Sequence, residues 1–123
     1  LSNNQPIWML NFLEYNEEAN FEADVEYAST EPISGAKAYA EYGDRMATSL
    51  ASVGGRIVWR STAPKQLSGI DDGRWHEIAI ATYPSAKALL TMYARPAYRA
   101  AHVYRNAGLA RTRLVATQPI TEE

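Results

Sequence analysis

The sequence contains no cysteine, so it has no disulfide framework, no thiolate nucleophile and no cysteine-ligated metal. It also lacks a long apolar run. The longest uncharged apolar stretch, residues 78–86, is about half of what a bilayer-spanning helix needs, and it contains Pro84. The first residues lack the basic and apolar regions of a secretory signal, although earlier trimming stays open because the chain does not begin with Met. We therefore expect a cytoplasmic protein with no membrane partner.

The composition is that of an ordinary globular protein. The chain has 123 residues, of which 46% are hydrophobic and 21% are charged. Disorder requires low hydrophobicity together with high net charge, and the net charge here is only −2. We therefore expect one packed core, with residues 1–123 forming a single domain.

Charge is distributed unevenly along the chain. No acidic residue lies between Glu77 and Glu122, and the basic residues in that interval are Lys87, Arg95, Arg99, Arg105, Arg111 and Arg113. An early segment is acidic instead, with Glu17, Glu18, Glu22, Asp24, Glu26 and Glu31. Either the two regions neutralise one another within the fold or across a dimer, or the arginines bind an anion.

The first predicted strand, Ile7–Tyr15, is apolar on both faces. Alternate residues such as Met9 and Leu13 form one apolar face, while Leu10 and Phe12 belong to the other. Helices of a short chain can cover one face of a sheet but leave little to cover the second. The pattern therefore predicts a homodimer in which the sheet of a second copy covers the remaining face.

The rest of the chain completes a βαββαβ pattern. After an acidic connection over residues 16–32, we predict a helix that follows the N-cap Ser34 and ends at Gly54-Gly55. A strand Arg56–Thr62, a turn at 68–73 and a strand at 75–83 come next. A helix then begins at Pro84-Ser85, is interrupted at Arg95-Pro96 and reaches about Ala107, and a strand at 113–117 follows it. This order is typical of the ferredoxin-like α+β fold with a four-stranded antiparallel sheet.

Several of these segments resemble an uncharacterised bacterial family, domain of unknown function 1330, of the dimeric α+β barrel superfamily. The resemblance rests on Tyr39, Tyr42, Val53-Gly54-Gly55-Arg56, Tyr83-Pro84-Ser85, Ala88, Arg95-Pro96-Ala97-Tyr98, Arg105 and Arg113-Leu114-Val115-Ala116-Thr117. It implies a ferredoxin-like subunit that dimerises through its sheet. It implies no particular activity, because fold does not determine function.

A more distant similarity concerns haem-degrading enzymes of the same superfamily. In that branch an Asn on the first strand and a His in the second helical region carry the chemistry, and Asn11 and His102 fall at similar places here. Where that branch has a tryptophan before the His, this chain has Met92. A haem-binding monooxygenase-like protein is therefore a remote alternative.

The candidate catalytic residues are His102 and Asn11. Imidazole exchanges protons near neutral pH, and an amide within an apolar strand needs hydrogen-bond partners, which are either backbone groups or a ligand. Neither His102 nor the other imidazole, His76, has a carboxylate or nucleophile at suggestive spacing. The sequence therefore leaves open whether each of them is a structural or a catalytic histidine.

The candidate ligand-binding residues are Tyr39, Tyr42, Trp59 and Arg105, with Tyr83 as a further aromatic. Their rings form either a pocket between helix and sheet or an aromatic core. Arg105 either clamps an anionic group or pairs with an acid of the segment 17–31. No metal site and no cofactor are predicted.

Two functions remain open at this level. One is a protein that binds a small apolar or anionic ligand in a pocket between sheet and helices, as a cofactor-free enzyme, and the other is a non-catalytic ligand-binding or interaction dimer. RNA recognition modules share the topology, but the second and third strands lack the aromatic signature of those modules and the acidic balance repels phosphate, so we expect no nucleic-acid partner.

Overall fold

A computed structural model of the chain describes residues 1–21 and 31–120. Across these residues the elements are β1 (Ile7–Tyr15), α1 (Gly35–Ser52), β2 (Arg56–Thr62), β3 (Glu77–Tyr83), α2 (Ala86–Ala94), α3 (Pro96–Gly108) and β4 (Leu109–Thr117). The four strands form one antiparallel sheet in the order β2-β3-β1-β4. This arrangement confirms the predicted ferredoxin-like α+β fold, with the second helix broken into α2 and α3.

The helix boundaries follow from capping side chains. Ser34 accepts a hydrogen bond from the Lys37 backbone N–H at 3.1 Å, and Ser85 accepts one from the Ala88 N–H at the same distance. Each serine thereby satisfies a donor that the first helical turn leaves unpaired. Pro96 begins α3, because its fixed φ suits the first helical turn.

Two strand boundaries differ from the prediction. β3 begins at Glu77, two residues later than expected, because pairing with both neighbouring strands starts there. β4 begins at Leu109, well before residue 113, because it pairs with β1 along nearly the whole of that strand. The turn predicted at 68–73 is part of a longer connection, residues 63–76. Of the predicted acidic connection, residues 22–30 lie outside the described part of the chain.

The start of α1 and the end of α3 meet the end of β1 at one point. The Gly35 N–H donates to the Asn16 carbonyl at 3.1 Å, and the Asn16 N–H donates to the Gly108 carbonyl at 2.8 Å. A Cβ on Gly108 would lie 2.6 Å from the Gly35 carbonyl oxygen, so the two helix backbones touch here. Two glycines are required for this approach.

The sheet has a helix-side face and an outer face. Ile7, Met9 and Leu13 of β1 are buried under the helices. The outer face carries large apolar side chains, including Trp8 at 44% exposure and Trp59 at 57%. The connection 63–76 reaches this face, where Trp75 packs on Phe12 with ring centroids 5.7 Å apart. Within the described residues, no helix is both long and apolar enough to cross a bilayer.

Candidate functional site

A cavity of about 320 Å³ lies between the helix-side face of the sheet and the helices. Its floor includes Ala79 and Ala81, which alternate on β3 with the outward-facing Ile78 and Ile80. Because an alanine side chain ends at Cβ, these two positions leave space beneath the helices. The cavity therefore exists because two small residues, two positions apart on one strand, point to the same face of the sheet.

The helices line the cavity with two stripes of side chains. Tyr39, Tyr42 and Met46 project from α1, and Tyr98, His102 and Arg105 project from α3. Residues three or four positions apart share one side of a helix, so each triplet faces the same space. Asn11 of β1 also lines the cavity. The structure thus brings together five of the six predicted site residues: Asn11, Tyr39, Tyr42, His102 and Arg105.

Trp59 is the exception, and the expectation that it lines this cavity has to be corrected. It pairs with Ile80 of β3, and residues directly opposite one another on neighbouring strands share a face. Ile80 points away from the helices, so Trp59 lies on the outer face. An irregularity between Ile57 and Trp59 shifts the register of β2 here, which places Ile57 rather than Trp59 at the cavity.

Sequence reasoning also missed residues of the cavity. Tyr93 and Tyr98 line it, and their rings pack at 5.3 Å between centroids. Tyr98 precedes His102 by four positions on the same helix, so the helical period extended backwards from His102 finds it. The position of Tyr93 depends on the angle between α2 and α3, which the sequence pattern does not give.

The tyrosine hydroxyls of the cavity are protonated donors. Burial raises the pKa of Tyr39 to about 12. Burial, with Tyr98 next to it, also raises the pKa of Tyr42, and burial raises that of Tyr83. The hydroxyl oxygens of Tyr42 and Tyr98 are 3.2 Å apart, so one donates to the other. At neutral pH these groups offer hydrogen bonds without contributing negative charge.

His102 is half-buried among aromatic rings. Its ring centroid lies 5.8 Å from that of Tyr98 and 6.3 Å from that of Tyr42. Burial, and then the positive charge of Arg105, lower the pKa of His102 below its ordinary value. The imidazole is therefore neutral at pH 7 and has a nitrogen lone pair with which to accept a proton.

His76 has a structural environment instead. Its Nδ1 accepts a hydrogen bond from the Tyr15 backbone N–H at 3.0 Å, and its ring stacks on that of Tyr15. His76 does not line the cavity.

Arg105 is buried, with 9% of its surface exposed. Its Nη2 donates to the Thr112 hydroxyl at 3.2 Å. Among residues 1–21 and 31–120, no carboxylate forms an ion pair with it. The described acids of segment 17–31 thus leave this guanidinium unpaired, and residues 22–30 lie outside the described chain.

Asn11 makes one backbone contact. Its Nδ2 donates to the Met9 carbonyl at 3.3 Å. The side chain lies at the floor of the cavity. On the helix-side face of β1, it is a polar residue between the apolar residues Met9 and Leu13.

A polar cluster around the buried Glu77 lies beside the cavity. Glu77 accepts hydrogen bonds from Arg60 at 2.7 and 3.1 Å and also from the Tyr15 hydroxyl. Burial alone would raise the pKa of Glu77, but the hydrogen bonds from Arg60 and Tyr15 outweigh burial and lower the pKa. Glu77 is thus an ionised carboxylate whose hydrogen bonds are satisfied, which is the pattern of a structural group.

The outer face carries a second cluster of charges. Arg111 lies 4.0 Å above the Trp75 ring and 3.4 Å from carboxylate oxygens of both Glu14 and Asp72. Arg113 donates to the Asp72 carboxylate at 2.8 Å. These contacts fasten the connection 63–76 to β4. Over the part of the chain that the structure describes, no group of three or more His, Asp or Glu side chains is suited to a metal ion.

Comparisons with known proteins agree with this architecture. A structure of a protein of unknown function from Rhodopseudomonas palustris is 32% identical, with a TM-score of 0.81 over 97% of this chain and 85% of that chain. A dimeric protein of unknown function with a ferredoxin-like fold from Bacteroides fragilis is 8% identical, with a TM-score of 0.52 over 95% of this chain and 99% of that one. A cofactor-independent oxygenase from Streptomyces nogalater, SnoaB, is 12% identical, with a TM-score of 0.53 over 97% and 95% of the two chains.

At 8% and 12% identity, likeness shows the fold alone. None of the curated proteins compared with the chain matches it. The family model described as Domain of unknown function (DUF1330) matches residues 28–118, which is about three quarters of the chain. Together with the Rhodopseudomonas palustris relative, this match establishes that the chain belongs to the DUF1330 family.

Proposed function

We propose that this chain binds a small organic molecule in the helix-side cavity, with residues 1–123 forming one subunit of a homodimer. The observation that carries the proposal is the composition of the cavity wall. Met9, Met46 and Ala81 supply apolar surface, and the side chains of His102 and Arg105 converge on the same space. Ligand sites of proteins combine apolar walls with a few convergent polar groups in this way.

The rim of the cavity supports access from solvent. Ile57 of β2 and Leu114 of β4 line the cavity, yet they are 44% and 46% exposed. A ligand can therefore reach the buried polar groups past two apolar side chains. The volume of about 320 Å³ is at the lower end of the range for ligand pockets, which favours a small molecule.

The outer face of the sheet supports the homodimer. Trp8 and Trp59 expose large ring surfaces there, and Val115 of β4 is 43% exposed on the same face. An exposed apolar sheet face of this kind is typical of a protein–protein contact. The protein from Bacteroides fragilis with the same fold is described as dimeric.

Acid–base catalysis without a cofactor is a second candidate, favoured by His102. A general base needs a lone pair at neutral pH and a place at the ligand, and His102 combines a lowered pKa with a position on the cavity wall. SnoaB shows that a chain with this fold can be a cofactor-independent oxygenase. A non-catalytic ligand-binding dimer has the same cavity but does not depend on His102 for turnover.

The cavity assignment is tested by filling the cavity. Ala81→Leu extends an apolar side chain into the floor, and Ala97→Leu makes the same change at an exposed position of α3. Ligand-observed NMR with a library of haem, flavins, quinones, phenols and small acids should give hits with the parent and with Ala97→Leu. Those hits should disappear with Ala81→Leu, while the melting temperature stays within about 5 °C.

Two results would contradict this assignment. Hits that survive Ala81→Leu would place the ligand elsewhere on the chain. Haem as the single hit, lost in His102→Ala, would favour the haem-binding alternative over a small-molecule site. Any hit that is converted to product by the parent but only bound by His102→Ala would establish the catalytic form of the proposal.

A further inference from the structure

We infer that the ligand of the helix-side cavity is a small monocarboxylate with an aromatic or aliphatic body, whose carboxylate pairs with Arg105. This inference rests on the proposed function and names the ligand class for the same cavity.

The first observation is the state of Arg105. A buried guanidinium without a counter-ion is costly, and buried charges in proteins are normally paired. Arg105 is nine-tenths buried, and its hydrogen bond to a described residue is the one to the neutral Thr112 hydroxyl. A ligand carboxylate supplies the missing negative charge, and the planar guanidinium binds it with two parallel hydrogen bonds.

The second observation is the character of the other polar groups. Tyr39, Tyr42 and Tyr83 are lining residues whose hydroxyls stay protonated and uncharged, and the described lining residues include no Asp and no Glu. The described wall therefore combines neutral polar groups with one cation and has no carboxylate to repel an anion. Complementary charge of this kind selects an acid over its neutral or cationic analogues.

The third observation limits the ligand to one charge. Arg105 is the one cation among the described lining residues that keeps its charge at neutral pH, because His102 is neutral there. A dicarboxylate or a phosphate monoester would bury a second negative charge among Met9, Met46 and Leu114, where nothing compensates it. These apolar side chains and the aromatic rings instead fit the uncharged body of a monocarboxylic acid.

The test compares acids with their primary amides, which have nearly the same shape but no charge. The probes are benzoate, phenylacetate, 3-phenylpropionate and hexanoate, each with its amide, and terephthalate as a dianion. Each is titrated by ligand-observed NMR up to about 1 mM, the weak end of specific affinity. The proteins are the parent, Arg105→Met, Arg105→Lys and the control Arg99→Met, which removes an exposed cation from the same helix.

We expect at least one acid to bind the parent, with its amide and terephthalate at least about tenfold weaker, as for the loss of a charge-assisted hydrogen-bond pair. Arg105→Met should weaken the acid by at least the same factor and leave the amide unchanged. Arg105→Lys should retain part of the acid affinity, because it keeps the charge but loses the planar fork. Arg99→Met should bind like the parent.

Three outcomes overturn the inference, and they separate it from the proposed function. If an amide binds as tightly as its acid, the monocarboxylate class is wrong while the cavity remains a ligand site. If neither series binds the parent, the inference and the proposed function both fail for molecules of this size. If Arg105→Met lowers the melting temperature of the ligand-free protein markedly, the counter-ion of Arg105 belongs to the chain itself and not to a ligand.

Discussion

Both faces of the sheet are apolar, but the arginines near them differ in whether a described carboxylate lies close to the guanidinium. On the outer face, Arg111 lies on the Trp75 ring and close to the carboxylates of Glu14 and Asp72. On the helix side, Arg105 is more deeply buried and contacts a neutral hydroxyl. Neighbouring arginines of one basic segment thus differ in whether the described chain supplies their counter-ions.

This difference separates a structural arginine from one that is available to a ligand. The partners of Arg111 hold the connection 63–76 in place, and a second molecule finds little of its charge uncompensated. The charge of Arg105 is directed into a cavity, and no described acid offsets it. Charge counts along the sequence cannot make this distinction, because both residues belong to the same run of basic side chains.

The largest effect is expected from Trp59→Glu on the outer face. The substitution places a charge in the proposed dimer interface and removes a large ring, so the dissociation constant of the dimer should rise on the order of 100-fold or more. Leu90→Glu is the matched control, because Leu90 is 64% exposed but belongs to α2 and not to the sheet. Sedimentation equilibrium should show monomers for Trp59→Glu and dimers for the parent and for Leu90→Glu.

The cavity should not respond to this change. Trp59→Glu should keep the ligand affinity of the parent when binding is compared under the same conditions, because Trp59 does not line the cavity. A parent that is monomeric, or two variants that dissociate to the same extent, would remove the outer face as the interface.

A smaller effect is expected from comparing Arg111→Met with Arg105→Met by thermal unfolding. Removing Arg111 takes a cation from Glu14 and Asp72 and ends its contact with the Trp75 ring, so the melting temperature should fall by about 5 °C. Removing Arg105 eliminates a buried charge that no described acid compensates, so stability should be equal or higher. Equal losses in the two variants would mean that the two arginines play the same structural role.

The smallest effect concerns the titration of His102, followed by NMR of its ring protons. Its pKa lies below the ordinary value because of burial and the charge of Arg105. Arg105→Met should raise this pKa part of the way, since burial remains, and Arg111→Met should leave it unchanged. Because the folded state binds the proton less tightly than the unfolded chain, His102 should contribute a loss of stability as the pH falls below about 6.5.

If Arg105→Met leaves the pKa of His102 unchanged, this result would show that the two side chains do not share the cavity.

The fold was predictable because strong local signals agree with one another. The alternating pattern of β1, the capping serines and the break at Arg95-Pro96 each fix one element, and only one common topology accommodates them all. The start of β4 was missed because Leu109–Thr112 has no apolar alternation of its own. These residues extend the strand because β1 offers them partners.

The candidate site was predictable to the extent that it follows helical period. Tyr39 and Tyr42 on α1, and His102 and Arg105 on α3, lie on one side of their helices as the spacing indicates. The face of Trp59 was not predictable, because the irregularity in β2 changes which side chains point at the helices. The cavity itself exists because the small side chains of Ala79 and Ala81 leave space beneath the helices. This space cannot be predicted from the sequence until the residues that pack above the two alanines are known.

The contact between Gly35 and Gly108 has a consequence for the rate at which a ligand binds. Backbone hydrogen bonds through Asn16 and the direct approach of the two backbones hold the start of α1 against the end of α3. The helices that frame the cavity therefore need no rearrangement before a ligand enters. The observed association rate should rise in proportion to the ligand concentration, without the plateau that is reached when a lid must first open. A bulkier residue at either glycine would push the helices apart and turn a preformed site into one that must close around its ligand.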